Sequence, residues 1–278
     1  MKKLWLSATL VAALSACTSM PPAASQAGGP IKKAEMDRIA AAPAAMAATA
    51  ASGSFSQFLA LSAQMQPELA PAVAAYERKA TLQGDDLVNI SRLLGLYNRL
   101  KNQAAVIDAT ARMVSIPTVR SDKVPPREDK HIIAFGALVE GMAKEFGLQY
   151  RNVDNRIFEV KLPGTGPEEF GILTHADVVP VVADEWVLDD GTKHEPFKLT
   201  RVGGNLYGRG SIDDKGSIAT VLYAMKAVKE SGLPLARTIR LMIETTEETG
   251  GDAMKYYRAK TTLPEYNSVL DSKYPAVV

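Results

Sequence analysis

The sequence predicts an α/β protein, an open, mixed β-sheet flanked by helices, and three observations carry that prediction. Apolar residues recur at helical spacings of three and four from Phe55 to Phe146, and the spacing shortens towards two after Gly147. Three candidate strands then come at wide intervals, 170–173, 238–243 and 268–271, with a helical segment at 214–230 between the first two. Acidic and imidazole side chains stand just beyond apolar runs in this half of the chain, where open α/β sheets hold their sites.

At the N-terminus, Lys2 and Lys3 precede an apolar stretch at 4–14 that is too short to span a membrane, so 1–17 reads as a secretory signal peptide. Its exit, Leu14-Ser15-Ala16-Cys17, resembles the lipobox of bacterial lipoproteins, in which the cysteine becomes the lipid-modified first residue. Cys17 is the sole cysteine, so disulfides are excluded and acylation gives the residue a use. The expected location is therefore the bacterial cell envelope, lipid-anchored and facing the periplasm or exterior; the plainer alternative is a secreted protein with an incidental cysteine. Residues 18–53 are rich in Ala, Pro and Ser and hold too little apolar bulk to repay ordering, which makes them a tether. Within them, 34–51 has helical propensity but only alanine to pack with.

Residues 54–278 form the expected folded domain, led by packing helices at 54–105. Phe58, Leu61, Met65 and Leu69 make one helical stripe, and Leu87, Ile90, Leu93, Leu94, Tyr97 and Leu100 another. The run at 105–114 continues to Pro117, which ends it. A helix comes after Pro125-Pro126 with Phe135, Leu138, Val139, Met142 and Phe146 inside, His131 at its surface and Gly147 as C-cap. Residues 149–153 and 156–162 read as a hairpin turned at Asp154-Asn155. Residues 184–207, with Trp186, His194, Pro196 and Phe197, read as loop-rich. Gly232 ends the helix at 214–230, the β-branched strand 238–243 is next, and a short helix at 254–258 precedes the last strand.

Composition bounds the function. Hydrophobic residues make up 46% and charged residues 23%, ordinary globular usage, and the formal charge of +1 implies neither a nucleic acid nor an acidic surface as partner. No Walker-type or dinucleotide glycine loop is present. Three clusters remain: Thr174-His175-Ala176-Asp177, Gly208-Arg209-Gly210-Ser211-Ile212-Asp213-Asp214-Lys215-Gly216, and Glu244-Thr245-Thr246-Glu247-Glu248-Thr249-Gly250. In an extended segment His175 and Asp177 face the same side, so one can bind a metal while the other supports it. His175, Asp177, Asp213, Asp214, Glu247, Glu248 and Asp271 offer mixed imidazole and carboxylate donors, which suit zinc, with cobalt or manganese as alternatives. Adjacent acids repel unless a cation relieves them; if Glu248 ligates, Glu247 is free to act as general base on a metal-activated water, which is amide-bond hydrolysis. Each cluster also has a plain structural reading, as helix N-cap or solvated turn. A serine mechanism lacks its strained elbow, because Ser211 has no glycine two residues later.

Taken together, His175-x-Asp177-Val-Val-Pro, Gly208-Arg-Gly-x-x-Asp213-Asp-Lys-Gly216 and Glu247-Glu-x-Gly250 resemble the M20 family of dizinc metallopeptidases, especially its dipeptidase branch, from about Val106 onward. The resemblance implies a zinc-exopeptidase-like catalytic fold, two zinc ions, and dipeptides or short peptides as substrates. It implies His175 on the first metal, Asp177 orienting that histidine, Asp213 bridging, Glu247 as base, Glu248 on the second metal and Asp271 as the remaining carboxylate on the first. It also implies a cis peptide between Asp213 and Asp214. Members carry an inserted lid or dimerisation domain, through which full-length relatives can form homodimers, and a distal histidine; here no histidine follows His194. The sequence is accordingly expected to be truncated before that domain. The rival expectations are a non-catalytic truncated envelope lipoprotein and an amidohydrolase acting on N-acyl amino acids.

Overall fold

The computed structural model describes residues 43–121, 123–187 and 191–271. The expected signal peptide, the lipidation site Cys17 and most of the tether lie outside the described residues. The described chain divides into two compact units, one of 43–104 with 223–236 and one of 105–222 with 237–271.

The first unit is helical. Helix α1 (Ala44–Ser52) buries only Met46 and Ala50, the thin packing that an alanine-rich segment provides. Ser54 caps α2 (Phe55–Met65) reciprocally: its hydroxyl accepts from the backbone N–H of Gln57 at 3.2 Å, and its own N–H donates to Gln57 Oε1 at 2.8 Å. The buried face of α2 is Phe55, Phe58, Leu59 and Ser62, whereas Met65 is exposed, so the predicted stripe is rotated. The reason is Tyr97 of α4 (Gly84–Val114), whose ring lies 5.4 Å from those of both Phe55 and Phe58. Between them runs α3 (Ala70–Glu77).

The second unit is built on a sheet. After α4, helix α5 (Lys130–Glu145) is capped by Asp129, whose carboxylate accepts from His131 N and Ile132 N, and it buries Ile132, Phe135, Val139 and Met142. His131 is half-buried at its first turn. Strands β1 (Gln149–Val153) and β2 (Ile157–Leu162) form the predicted hairpin; Asp154 and Asn155 take φ of 55° and 52°, as a two-residue primed turn requires. They are followed by β3 (Glu169–His175), a two-stranded ribbon of β4 (Thr200–Val202) and β5 (Asn205–Tyr207), helix α6 (Lys215–Ser231), β6 (Thr238–Glu244), helix α7 (Asp252–Lys260) and β7 (Tyr266–Val269).

The main sheet has the order β1-β2-β6-β3-β7, with β2 antiparallel to β6 and β3 parallel to both β6 and β7. This is the open, mixed sheet that the sequence predicts. Strand β6 is central and buried from its second residue to its last, with Arg240 and Glu244 enclosed among its apolar side chains. Helices cover both faces. On one, Phe135 of α5 meets Phe158 of β2, and a side chain at Gly136 would strike the Phe158 ring. On the other, Ile157 and Met242 pack with Ala253 and Tyr257 of α7.

Two expectations need adjustment. The loop-rich stretch 184–207 includes paired strands, since 200–207 folds into the β4-β5 ribbon around Gly203-Gly204. The last strand spans Tyr266–Val269, so Asp271 stands beyond its end and not within it.

Candidate metal centre

Three parallel strands, β6, β3 and β7, finish on one edge of the sheet. Every candidate ligand is carried at or just past their C-terminal ends, or by the loop entering α6. His175 ends β3 in register with Glu244, which ends β6. The parallel pairing therefore brings the imidazole beside the glutamate turn after β6. His175 is buried, and its Nε2 lies 2.9 Å from Asp213 Oδ1 and 3.7 Å from Asp271 Oδ1. Its Nδ1 lies 2.9 Å from the backbone carbonyl oxygen of Asp177 and 3.6 Å from that residue's carboxylate. The histidine is thus oriented chiefly by the main chain at Asp177. The Asp177 carboxylate, fully buried, accepts instead from the backbone N–H groups of Glu247 at 3.1 Å and Glu248 at 3.0 Å. It holds the turn that carries both glutamates.

Ligand atoms of His175, Asp213 and Glu248 lie within 4.8 Å of one another, and so do those of His175, Glu247 and Asp271. Every metal-ligating or catalytic position read from the sequence therefore meets here, around one shared imidazole. The peptide between Asp213 and Asp214 is cis. Beside the cluster lies a cavity of about 390 Å³ bounded by His175, Glu244, Glu247, Gly250, Gly251 and Asp271.

The electrostatics describe a site with too much negative charge. Burial raises the carboxyl pKa of Glu247 above its usual value, and the Asp271, Asp177 and Asp213 charges raise it further, against the pull of His175. Burial likewise raises Glu248, with Asp213 and Glu247 adding to it. Asp214 is held well above the carboxylate range, first by its complete burial. For His175 burial disfavours the charged ring, but hydrogen bonds to Asp177 and Asp213 and the Asp214 charge outweigh it, and the pKa is pushed up to about 11. A buried oxygen of Asp214, Oδ1, has no hydrogen-bond partner among the described residues. One nitrogen donor among hard carboxylate oxygens, an acid excess and an orphaned buried oxygen together fit a divalent cation.

Three residues at the site escaped the sequence reading as participants. Glu244 is buried, accepts from Met254 N and the Thr246 hydroxyl, and its carboxyl is raised by burial. Its signal was its position as last residue of a strand that leads into acids. Lys215 is fully buried and donates from Nζ to the carbonyl of Ile116 at 2.7 Å; burial pushes its pKa down to about 7. Thr118 is also fully buried, and nothing in its local sequence marks it.

Comparison with known proteins bears on this geometry. Residues 171–271 match the model of Peptidase family M20/M25/M40. The chain is 34% identical over 136 residues to the Beta-Ala-Xaa dipeptidase of Lactobacillus delbrueckii subsp. lactis, covering 49% of this chain and 27% of that protein. Among solved structures it is similar to human carnosine dipeptidase 1, with a TM-score of 0.53, 23% identity, and coverage of 63% of this chain and 40% of that one. The chain thus spans 27 to 28% of the length of the first curated relatives it matches. Over the matched segment the resemblance to M20 metallopeptidases read from the three motifs is borne out, and so is the fold class.

Proposed function

We propose that this chain is the metal-binding portion of a dipeptidase-type metallohydrolase that cleaves the amide bond of dipeptides or short peptides. The observation that carries the proposal is the pair of ligand trios sharing His175 at the ends of three parallel strands. His175, Asp213, Asp271 and Glu248 would hold zinc, in two ions as the family pattern has it, with cobalt or manganese able to substitute. When bound, the metal supplies Lewis-acid polarisation of the carbonyl and lowers the pKa of water. Glu247 is exposed beside the cavity, where a general base could reach a water; it would take the proton of the attacking water and pass it to the leaving amine. Asp177 fixes the turn that aims it.

The test is equilibrium dialysis against zinc with elemental analysis, then cleavage assays on simple dipeptides, including one with an N-terminal β-alanine. Bound metal with cleavage supports the proposal; one ion or none with no turnover favours a non-catalytic envelope lipoprotein.

We also propose that the leader is cleaved at a lipobox just before Cys17, that Cys17 carries the lipid, and that the lipid holds the protein in the cell envelope, with 18–53 as tether to a domain at 54–278. The sequence Leu14-Ser15-Ala16-Cys17 supports this reading. Among the described residues no helix is long and apolar enough to cross a membrane. Incorporation of labelled palmitate, lost in Cys17→Ser, is the expected result.

A further inference from the structure

We propose that Thr118, in the strap that joins α4 to α5, is a positioning residue for the metal centre; the inference rests on the metal-binding reading above. The strap is hydrogen-bonded to two of the ligand-bearing segments, at 176–178 and at Lys215. Thr118 Oγ1 donates to the carbonyl of Ala176 at 2.5 Å, and the Thr118 carbonyl accepts from Val178 N at 3.1 Å. One buried residue therefore holds the chain on either side of Asp177, with its side chain before it and its main chain after it. Val119 continues the attachment through a parallel bridge to Val178. From the opposite side Ala176 N donates to the carbonyl of Glu244 at 2.7 Å, so the segment is clamped between the strap and the end of β6.

What Thr118 fixes, Asp177 passes on. The Asp177 carbonyl meets His175 Nδ1, and its carboxylate accepts from Glu247 N and Glu248 N. A shift of the 176–178 backbone would move the imidazole and both glutamates together. The same strap reaches the third segment, because the carbonyl of Ile116 accepts from Lys215 Nζ, directly after Asp213 and Asp214. That ammonium group is enclosed, with the Phe135 ring 5.6 Å away, so its reach to the strap is fixed by packing. Ile116 and Thr118 thus tie the histidine, the aspartate pair and the glutamate turn to one short piece of backbone. Outer groups of this kind, removed singly, typically cost about 10–100-fold in metal affinity.

The experiment uses the full chain and cobalt(II) as probe, reading affinity by titration and ligand geometry by the visible absorption of the bound ion. Thr118→Val keeps the shape and removes the hydroxyl; Thr118→Ser restores it. Thr110→Val is the control for loss of any buried hydroxyl in this unit, since Thr110 is equally buried and donates to the Val106 carbonyl at 2.8 Å. Expected are a drop of about 10–100-fold in cobalt affinity with an altered spectrum for Thr118→Val, near-normal values for Thr118→Ser, and a normal spectrum for Thr110→Val. Unchanged affinity and spectrum in Thr118→Val, with wild type binding cobalt, would overturn the assignment alone. Equal losses in Thr118→Val and Thr110→Val would overturn it too, because they would show a general loss of folding. Failure of the wild-type chain to bind cobalt would overturn the metal-binding reading, and this inference with it.

Discussion

Two buried charged clusters sit on the same sheet, and they solve the cost of burial in opposite ways. Under α7, Glu159 and Glu169 meet Arg151, Lys161 and Arg240, with Arg151 2.7 Å from Glu159 and Lys161 2.8 Å from Glu169. Arg240 pairs with Glu169 and donates to the Tyr257 hydroxyl and the Thr262 carbonyl, while Tyr257 donates to Glu159. Cations outnumber acids in that group. At the strand ends the reverse holds: Asp177, Asp213, Asp214, Glu244, Glu247, Glu248 and Asp271 gather about one imidazole. The same residue type responds oppositely. Burial works against the charge of Glu159, yet Arg151 and Tyr257 bring its pKa below the usual value, whereas Glu247 and Glu248 are raised. A cluster that supplies its own counter-charges acts as a structural brace; one that does not suits the cation proposed for it.

That contrast can be broken by substitution. The largest effect is expected from Glu247→Ala, which should cut the proposed metal-dependent dipeptide hydrolysis by about 10²–10⁴-fold, the usual worth of a general base, with metal content intact by elemental analysis. Loss of the metal instead would make Glu247 a ligand, as its closeness to Asp271 and His175 allows. Next comes Asp213→Ala. It should weaken zinc binding by more than the roughly 10–100-fold typical of an outer-shell change, measured by competition with a chromogenic chelator, and retention of all bound metal would contradict a bridging role. Glu159→Gln sharpens the comparison from the other side. It should cost about 2–4 kcal/mol in denaturant unfolding, somewhat under a fully buried pair because Arg151 is half exposed, and leave metal content unchanged.

Per unit of the variable changed, the smallest predicted effect is a pH dependence. A cation binds the neutral imidazole, and His175 without metal holds its proton up to about pH 11. Binding must therefore release that proton, so apparent affinity should rise with pH, by about tenfold per unit across pH 6–9 when one proton is displaced. Calorimetry in two buffers of different ionisation enthalpy measures the proton count. A flat affinity over that range would show that His175 is already neutral.

Much of this arrangement was legible in the residues. Alternation and turn chemistry disclosed the β1-β2 hairpin, since Asp154-Asn155 tolerates positive φ. The β-branched character of 238–243 disclosed a strand there, which is the central β6. What was hidden depended on tertiary partners. The face of α2 is chosen by Tyr97, which lies about forty residues away, and the β4-β5 ribbon has so few residues that its alternation is lost beside the Gly203-Gly204 signal. Within the site, the donors could be read from type and spacing. Thr118 and Lys215 could not, because a hydroxyl or ammonium bound to a backbone carbonyl leaves no mark on the sequence around it.

The register of β3 against β6 carries one more consequence. His175 and Glu244 become neighbours only when two strands far apart in the chain lie side by side with each residue opposite its proper mate. A slip by a single step would turn the imidazole to the other side of the sheet. Because such distant closures come slowly, the nest proposed for a cation would be absent from the nascent polypeptide and would form late in folding.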